Sequence, residues 1–410
     1  MSAGHRRFDV VVIGAGPAGA LAAALLRQRK LRVLVLEKQH FPRFSIGESL
    51  LPQCMIYLEQ GDMLGAVQAA GFQYKDGAAF SSGGAYASFD FEQKTSPGPS
   101  TTFQVERAPF DQILADACAA QGAEVRYGHE IVAFRSDSDQ VSLDVLAGDE
   151  PVYTVEARFA LDASGFGRVL ARLLKLESPS EFPPRSSTFT HVEDRIDDTQ
   201  FDRDKILISV HPERTGIWYW LIPFANGRAS IGVVTPAAGD NDSSEDAGAR
   251  LQNLVGEAGY MAALLRQAKY DTAVRSITGY ACNVSRLYGD GYALLGNAAE
   301  FLDPVFSSGV TIALKSASLA ADVVERELAG AKPDWEAEYA RSLRLGVNTF
   351  RRFVGAWYDG RMQDIIFATE QNPEVRRMIC SILAGYAWDT DNPYVREPER
   401  LDTLAELCRA

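Results

Sequence analysis

Phe8-Asp9-Val10-Val11-Val12-Ile13-Gly14-Ala15-Gly16-Pro17-Ala18-Gly19 is the stretch on which the fold turns. The short β-branched run at residues 10–13 predicts a strand buried on both faces. Residues 20–26 continue with helical composition. Gly14, Gly16 and Gly19 stand where a tight turn, close approach to a pyrophosphate and close helix–strand packing each disfavour a larger side chain. The helix that follows presents unpaired N–H groups and a positive dipole end to such a phosphate. Residues 32–37 form a second apolar strand closing on Glu37, placed to accept from a ribose hydroxyl. Strand, glycines, helix, strand and acid in this order predict a dinucleotide site that includes Gly14, Gly16, Pro17, Ala18, Gly19 and Glu37. Lys38 and the loop residues Arg43, Ser45 and Ile46 are further candidate contacts, Arg43 being equally readable as a surface arginine.

The chain has 410 residues, enough for two closely joined domains around a large core. A net charge of −13 argues against nucleic acid, whose phosphates need clustered Lys and Arg. Five scattered cysteines (Cys54, Cys118, Cys282, Cys380, Cys408) form no CxxC pair, which fits a reducing cytoplasm and offers no metal-site spacing. His5-Arg6-Arg7 before an uncharged run resembles a secretion signal, but Asp9 and the glycines argue against it, and a cytoplasmic protein without a membrane span is expected.

Further along, a helix is expected from about residue 107 to 120 and a strand at 124–127. Residues 130–135, 141–145 and 152–161 read as an antiparallel meander, with a turn at Asp162-Ala163-Ser164-Gly165. Antiparallel strands follow at 205–211, 216–224 and 228–234, then a polar linker at 241–246 and a helix to about 267. Residues 292–299 return to a strand–turn–helix pattern, and the last eighty residues are helical. The expected fold is α/β: a discontinuous Rossmann-like cofactor domain (1–71, 106–169, 281–330), an antiparallel substrate domain (72–105, 170–280) and a helical C-terminal region (331–410).

Together with Val105-Glu106-Arg107, the Asp162 turn and Gly296-Asn297-Ala298-Ala299, the glycine motif resembles the FAD-dependent monooxygenase superfamily. The resemblance implies that Arg107, Asp162 and Asn297 touch FAD; Asn297 stands where an aspartate is usual, and an amide still hydrogen-bonds. Trp218-Tyr219-Trp220-Leu221-Ile222-Pro223 is similar to the WxWxIP signature of the flavin-dependent halogenases. A period of two puts Trp218 and Trp220 on one strand face. Without the resemblance they read as core tryptophans; with it they form a shield between substrate and flavin. Lys75 in Gly71-Phe72-Gln73-Tyr74-Lys75-Asp76 matches the family's essential lysine, which receives the hypohalous acid made from halide, oxygen and reduced flavin and aims its halogen. Lysine supplies three donors and shifts its pKa readily on burial. Asp303-Pro304-Val305-Phe306-Ser307-Ser308-Gly309-Val310 precedes a helix; the resemblance places chloride or bromide at Ser308 and Gly309 and Val310 against the flavin, and a serine N-cap is the plainer reading. Phe306 replaces the glutamate of tryptophan-specific members, which favours phenolic or pyrrolic substrates.

No second GxGxxG is present, which suits reduced FAD delivered by a separate flavin reductase. The expected activity is FADH2-dependent halogenation of an aromatic small molecule or of a ring held on an acyl or peptidyl carrier protein. An aromatic hydroxylase, a polyene reductase or a non-catalytic flavoprotein scaffold of the same fold are the alternatives. Arg341, Arg344, Arg351 and Arg352 lie on one stretch of an expected helix at 333–357, either as a solvated edge or as a basic face that docks an acidic carrier.

Overall fold

β1 (Phe8–Ile13), α1 (Pro17–Gln28) and β2 (Val33–Glu37) form the unit that the glycine motif predicts. The structure is a computed structural model and describes residues 8–137, 140–237, 246–370 and 372–409. β1 lies between β2 and the strand Tyr153–Asp162, parallel to both, and Glu124–Tyr127 and Tyr292–Leu294 extend the parallel sheet at either side. Every residue of β2 is buried, as a sheet covered on both faces requires. Residues 17–26 of α1 are all buried, and its run of alanines lets it pack closely against the helices Ser308–Leu328 and Arg107–Ala120. The strands His129–Ser136 and Val141–Ala147 add to Tyr153–Asp162 as the antiparallel meander.

A second sheet of seven strands runs Arg275–Thr278, Arg185–Glu193, Arg228–Pro236, Trp218–Pro223, Lys205–Val210, Gly77–Ser82, Ala85–Asp90. It is antiparallel except where Lys205–Val210 and Gly77–Ser82 run side by side. Its two faces serve different cores. Ile206, Ile208, Trp218, Trp220 and Ile222 belong to the core shared with the parallel sheet. Leu207, Tyr219 and Leu221 pack in a separate cluster with the helix Ala247–Gly256.

Three local expectations are corrected. Arg185–Glu193 is a strand that no apolar alternation announces, because Arg185 and Ser187 occupy inward positions. The helix after the linker divides into Ala247–Gly256 and Tyr260–Leu264 at Gly259, whose φ of +58° breaks it. Asp246 caps the first of these through Gly248 and Ala249, while linker residues 241–245 lie outside the described residues. The Gly296 turn leads only into one short turn, Gly296–Ala298, before the helix Ser308–Leu328.

The C-terminal helix starts with a wider, π-type turn at Glu336–Arg341 and continues as Ser342–Tyr358. Its arginines do not form a free basic face. Arg344 pairs with Glu336 at 2.9 Å, Arg351 with Glu300 and Arg352 with Asp402. Acids distant in sequence neutralise Arg351 and Arg352, and an acid of the same helix neutralises Arg344. Among the described residues no helix is long and apolar enough to cross a membrane.

Candidate active site

A cavity of about 660 Å³ opens where β1, β2 and the N-terminus of α1 meet the Trp218–Pro223 strand. Gly14 holds φ +95°, and a Cβ there would sit 2.7 Å from the carbonyl oxygen of Ala163. Gly16 is the N-cap of α1 with no side chain capping it, so the first N–H groups of the helix are left for a ligand. Gly16, Pro17 and Ala18 line the cavity. Gly19 does not; it is the contact point of α1 with β1, where a Cβ would lie 1.9 Å from the oxygen of Gly14.

Glu37, Lys38, Arg43, Ser45 and Ile46 are all on the wall. Glu37 is buried and accepts from the N–H groups of Ala15 and Gln39, both at 2.9 Å. Lys38 turns outward to Glu130 at 2.6 Å. Arg43 lies 3.1 Å from Asp111 and stacks 4.7 Å over Phe41. Arg107 grips the same Asp111 with two hydrogen bonds, at 2.7 and 3.0 Å, and donates to the carbonyls of Ile46 and Gly47. One buried carboxylate therefore orients two guanidinium groups, with Glu37 also within 4.0 Å of Arg43.

Asp162 is placed differently from the expectation. It is fully buried behind the cavity, and its two oxygens accept from the N–H groups of Ser164 and Leu170 at 3.0 and 2.6 Å. Ala163, Ser164 and Gly165 face the cavity in its stead. Asn297 lines the cavity, as do Gly309 and Val310, whereas Ser308 is buried behind them. The helix Ser308–Leu328 begins at Ser307, which adopts φ +56° and provides no side-chain cap. The serine cap is thus absent, and the helix N-terminus faces the cavity with its donors uncapped.

Trp218 and Trp220 form part of the wall, ring centroids 6.0 Å apart. Their positions are locked from behind. Trp220 donates to Ser230 at 3.1 Å and lies over Gly232, where a Cβ would come within 2.3 Å of the indole. Trp218 donates to the Tyr358 hydroxyl at 3.0 Å, and Tyr358 donates to Asp303 at 2.7 Å. Burial pushes the Asp303 carboxyl up to about 6, against the hydrogen bonds from Tyr358 and Val305 that hold it down.

Lys75 ends the short strand Gln73–Lys75 and is 1% exposed. Its amine donates to Ser49 Oγ and to the Leu50 carbonyl, both at 2.8 Å, and sits 5.4 Å from the centre of the Phe91 ring. Burial lowers its pKa to about 7. The space beside it is about 10 Å³, apolar apart from Lys75 and Ser307, and no larger than a water requires. Ile206, Ile208, Val305 and Ser307 line both this space and the large cavity, so they form the partition between them. Lys75 therefore sits in a tight, walled compartment. Phe306 closes it, packed edge-on against Phe353 and Trp357.

Two residues of this region have no role in the sequence reading. Glu48 and its partner His191 sit 143 positions apart in the chain, and neither carries a local pattern.

The cavity suits a dinucleotide at every point tested: glycines where a Cβ would collide, an uncapped helix N-terminus, and a buried acid organising two arginines. Fold and site define an FAD-dependent flavoprotein. The FAD binding domain family matches residues 7–340. A 1H-pyrrole-2-carbonyl-[peptidyl-carrier protein] chlorinase of Pseudomonas fluorescens is 28% identical, covering 98% of this chain and 93% of its own. A flavin-dependent halogenase of Armillaria mellea is 30% identical, covering 98% of this chain and 84% of its own. The crystal structure of a flavoprotein/dehydrogenase from Cytophaga hutchinsonii superposes with a TM-score of 0.94 at 40% identity, over 98% of this chain and 99% of that one. The chain belongs to the flavin-dependent halogenases, and it uses FAD and halide.

Proposed function

We propose that this chain halogenates a phenolic or pyrrolic ring carried on a peptidyl carrier protein, and that Lys75 conveys the halogen. The observation that carries this reading is an amine buried in its own compartment, one wall away from the flavin cavity. Reduced FAD, when bound, supplies with dioxygen the oxidation that turns halide into hypohalous acid. Gly14, Gly16, Pro17, Ala18, Glu37, Arg43, Ser45, Ile46, Arg107, Asn297 and Val310 would hold it, and the uncapped N–H groups at Ser308 and Gly309 would hold the halide.

The Lys75 compartment has room for no more than a water, so Phe306 or Leu383 moves aside to admit hypohalous acid and then the ring. A neutral Lys75 amine attacks the halogen of hypohalous acid; the N–halogen bond forms, the halogen–oxygen bond breaks, and the amine proton leaves with hydroxide as water. The ring then takes the halogen from nitrogen and returns its own proton to the amine. Burial makes this possible, because an amine with a pKa of about 7 is half neutral at pH 7. Among the described residues lining the compartment there is no carboxylate to serve as base, so the ring supplies its own electrons through a phenol oxygen or pyrrole nitrogen. The tryptophan wall keeps that ring from the flavin and so from hydroxylation. In this reading a separate reductase delivers the reduced flavin, residues 1–71, 106–169 and 281–330 make the cofactor domain, and 72–105 with 170–280 the substrate domain.

The carrier is argued from the pyrrolyl-carrier relative and no longer from the paired arginines. Pyrrole-2-carboxylate loaded on a carrier protein is expected to turn over at least ~10-fold faster than the free acid, since remote binding energy is spent on positioning the ring. Equal turnover of the two would make the substrate a freely diffusing molecule.

A further inference from the structure

Glu48, on the wall of the flavin cavity, and its partner His191 on a neighbouring strand have no part in halogen transfer. Glu48 lies on that wall, 1% exposed, with Oε1 2.6 Å from Nε2 of His191 and Oε2 without a hydrogen-bond partner. The backbone here is already committed. Glu48 O accepts from Val105 N–H, the carbonyls of Ile46 and Gly47 accept from Arg107, and the Ser49 side chain holds Lys75. Glu48 is therefore fixed in place with one carboxylate oxygen unsatisfied, an arrangement that is costly in a folded protein unless a ligand supplies the missing donor.

His191 stands on the strand Arg185–Glu193 between the rings of Phe44 and Phe224, at 6.1 and 5.1 Å. The charged groups acting on it are Glu48, Glu106 at the start of the helix Arg107–Ala120, and Arg228 on the neighbouring strand; Arg275 lies beyond, over Phe44. Burial disfavours the imidazolium, but the hydrogen bond and charge of Glu48, helped by Glu106, prevail and raise its pKa above the ordinary value.

We propose that the Glu48–His191 pair selects the reduced form of the flavin, with the selection strongest while His191 carries its proton. Two chemical facts support this. Reduced flavin bears an N–H where the oxidised ring bears a lone pair, so a carboxylate oxygen with nothing to accept from suits the first and repels the second. Reduced flavin is also an anion near neutral pH. A protonated pair is neutral and tolerates the anion; once His191 loses its proton, the carboxylate charge stands alone and opposes it. Linkage is reciprocal, so bound reduced flavin must hold the proton on His191 more tightly. This inference rests on the flavin cavity and not on the chemistry proposed for Lys75.

The test is equilibrium binding of the full chain to oxidised FAD and, anaerobically, to reduced FAD between pH 6 and 9. The preference for reduced FAD is expected to fall about tenfold across this range in the wild type, within the span of ordinary coupling between sites. His191→Gln keeps a donor for Glu48 but cannot titrate, so it shows only the free flavin's own pH dependence. Identical pH dependence in wild type and His191→Gln overturns the proposal. If the variant fails to fold, the wild type answers alone: reduced FAD must raise the NMR-measured pKa of one of its five histidines while oxidised FAD does not. No such shift likewise overturns it. The binding is read without halide or aromatic substrate, which keeps this test separate from the fate of the halogen.

Discussion

Lys75→Met is expected to lower halogenated product ~10²–10⁴-fold, the range for a positioned proton-transferring group, while flavin oxidation continues. The same change is expected to stabilise the folded chain below pH 7. The unfolded lysine binds its proton up to about 10.5, and burial brings the folded value to about 7. Between these values the unfolded state binds more protons, so wild-type stability rises with pH across that window; below pH 7 both states are protonated and the penalty is present in full. At 1.36 kcal/mol per pH unit the penalty is on the order of 4–5 kcal/mol. Methionine removes it but leaves the Leu50 carbonyl without its donor, at ~1–3 kcal/mol. A net gain of a few kcal/mol at pH 6 should therefore shrink towards zero, or reverse, near pH 10. Denaturant unfolding of both proteins at pH 6, 8 and 10 reads this directly. A destabilised Lys75→Met at pH 6 would mean that the buried amine is a structural hydrogen-bonding group.

Gly19→Ala is expected to weaken FAD binding at least ~10-fold and to lower stability by roughly 1–3 kcal/mol, as overpacking does. The new Cβ would stand 1.9 Å from Gly14 O and 3.3 Å from the Ala163 side chain. A backbone oxygen cannot swing away, so α1 must lift from β1, and the uncapped N–H groups beyond Gly16 move with it. Gly65→Ala is the control. Gly65 lies in the helix Leu64–Ala69 with nothing within 4 Å of its added Cβ, so alanine should be neutral or stabilise by about 0.4–1 kcal/mol. Equal FAD affinity in wild type and Gly19→Ala would remove the phosphate-binding role from this helix terminus.

What the sequence discloses and what it hides divides along the range of the interactions. Residues 8–37 are legible because turn, helix start and strand each depend on neighbours a few positions away. Trp218 and Trp220 are legible as one face because a strand repeats every second residue. The strand Arg185–Glu193 escapes, since its buried Arg185 donates to the carbonyl of Gly216 and its Ser187 lines the cavity, neither of which looks like core. The arginines of the C-terminal helix read as a basic face because Glu300 and Asp402, which pair with them, lie about fifty residues away on other elements. Asp162 reads as a ligand contact because its local motif is right, while the direction of its side chain is set by the amide of Leu170. Glu48 is hidden for the same reason as its partner: a lone acid in a loop acquires meaning only when His191 folds against it.

The central claim, that Lys75 carries the halogen between the flavin cavity and the ring, is tested most directly by a single turnover without substrate. The protein with reduced FAD is mixed with dioxygen and bromide, freed of small molecules by rapid gel filtration, and only then given a phenol or a carrier-bound pyrrole. The wild type should deliver up to one bromine per chain to the ring, and Lys75→Met none, although both consume the reduced flavin. A wild type that emerges with no halogenating capacity, or a Lys75→Met that brominates the ring as well as the wild type, would contradict it.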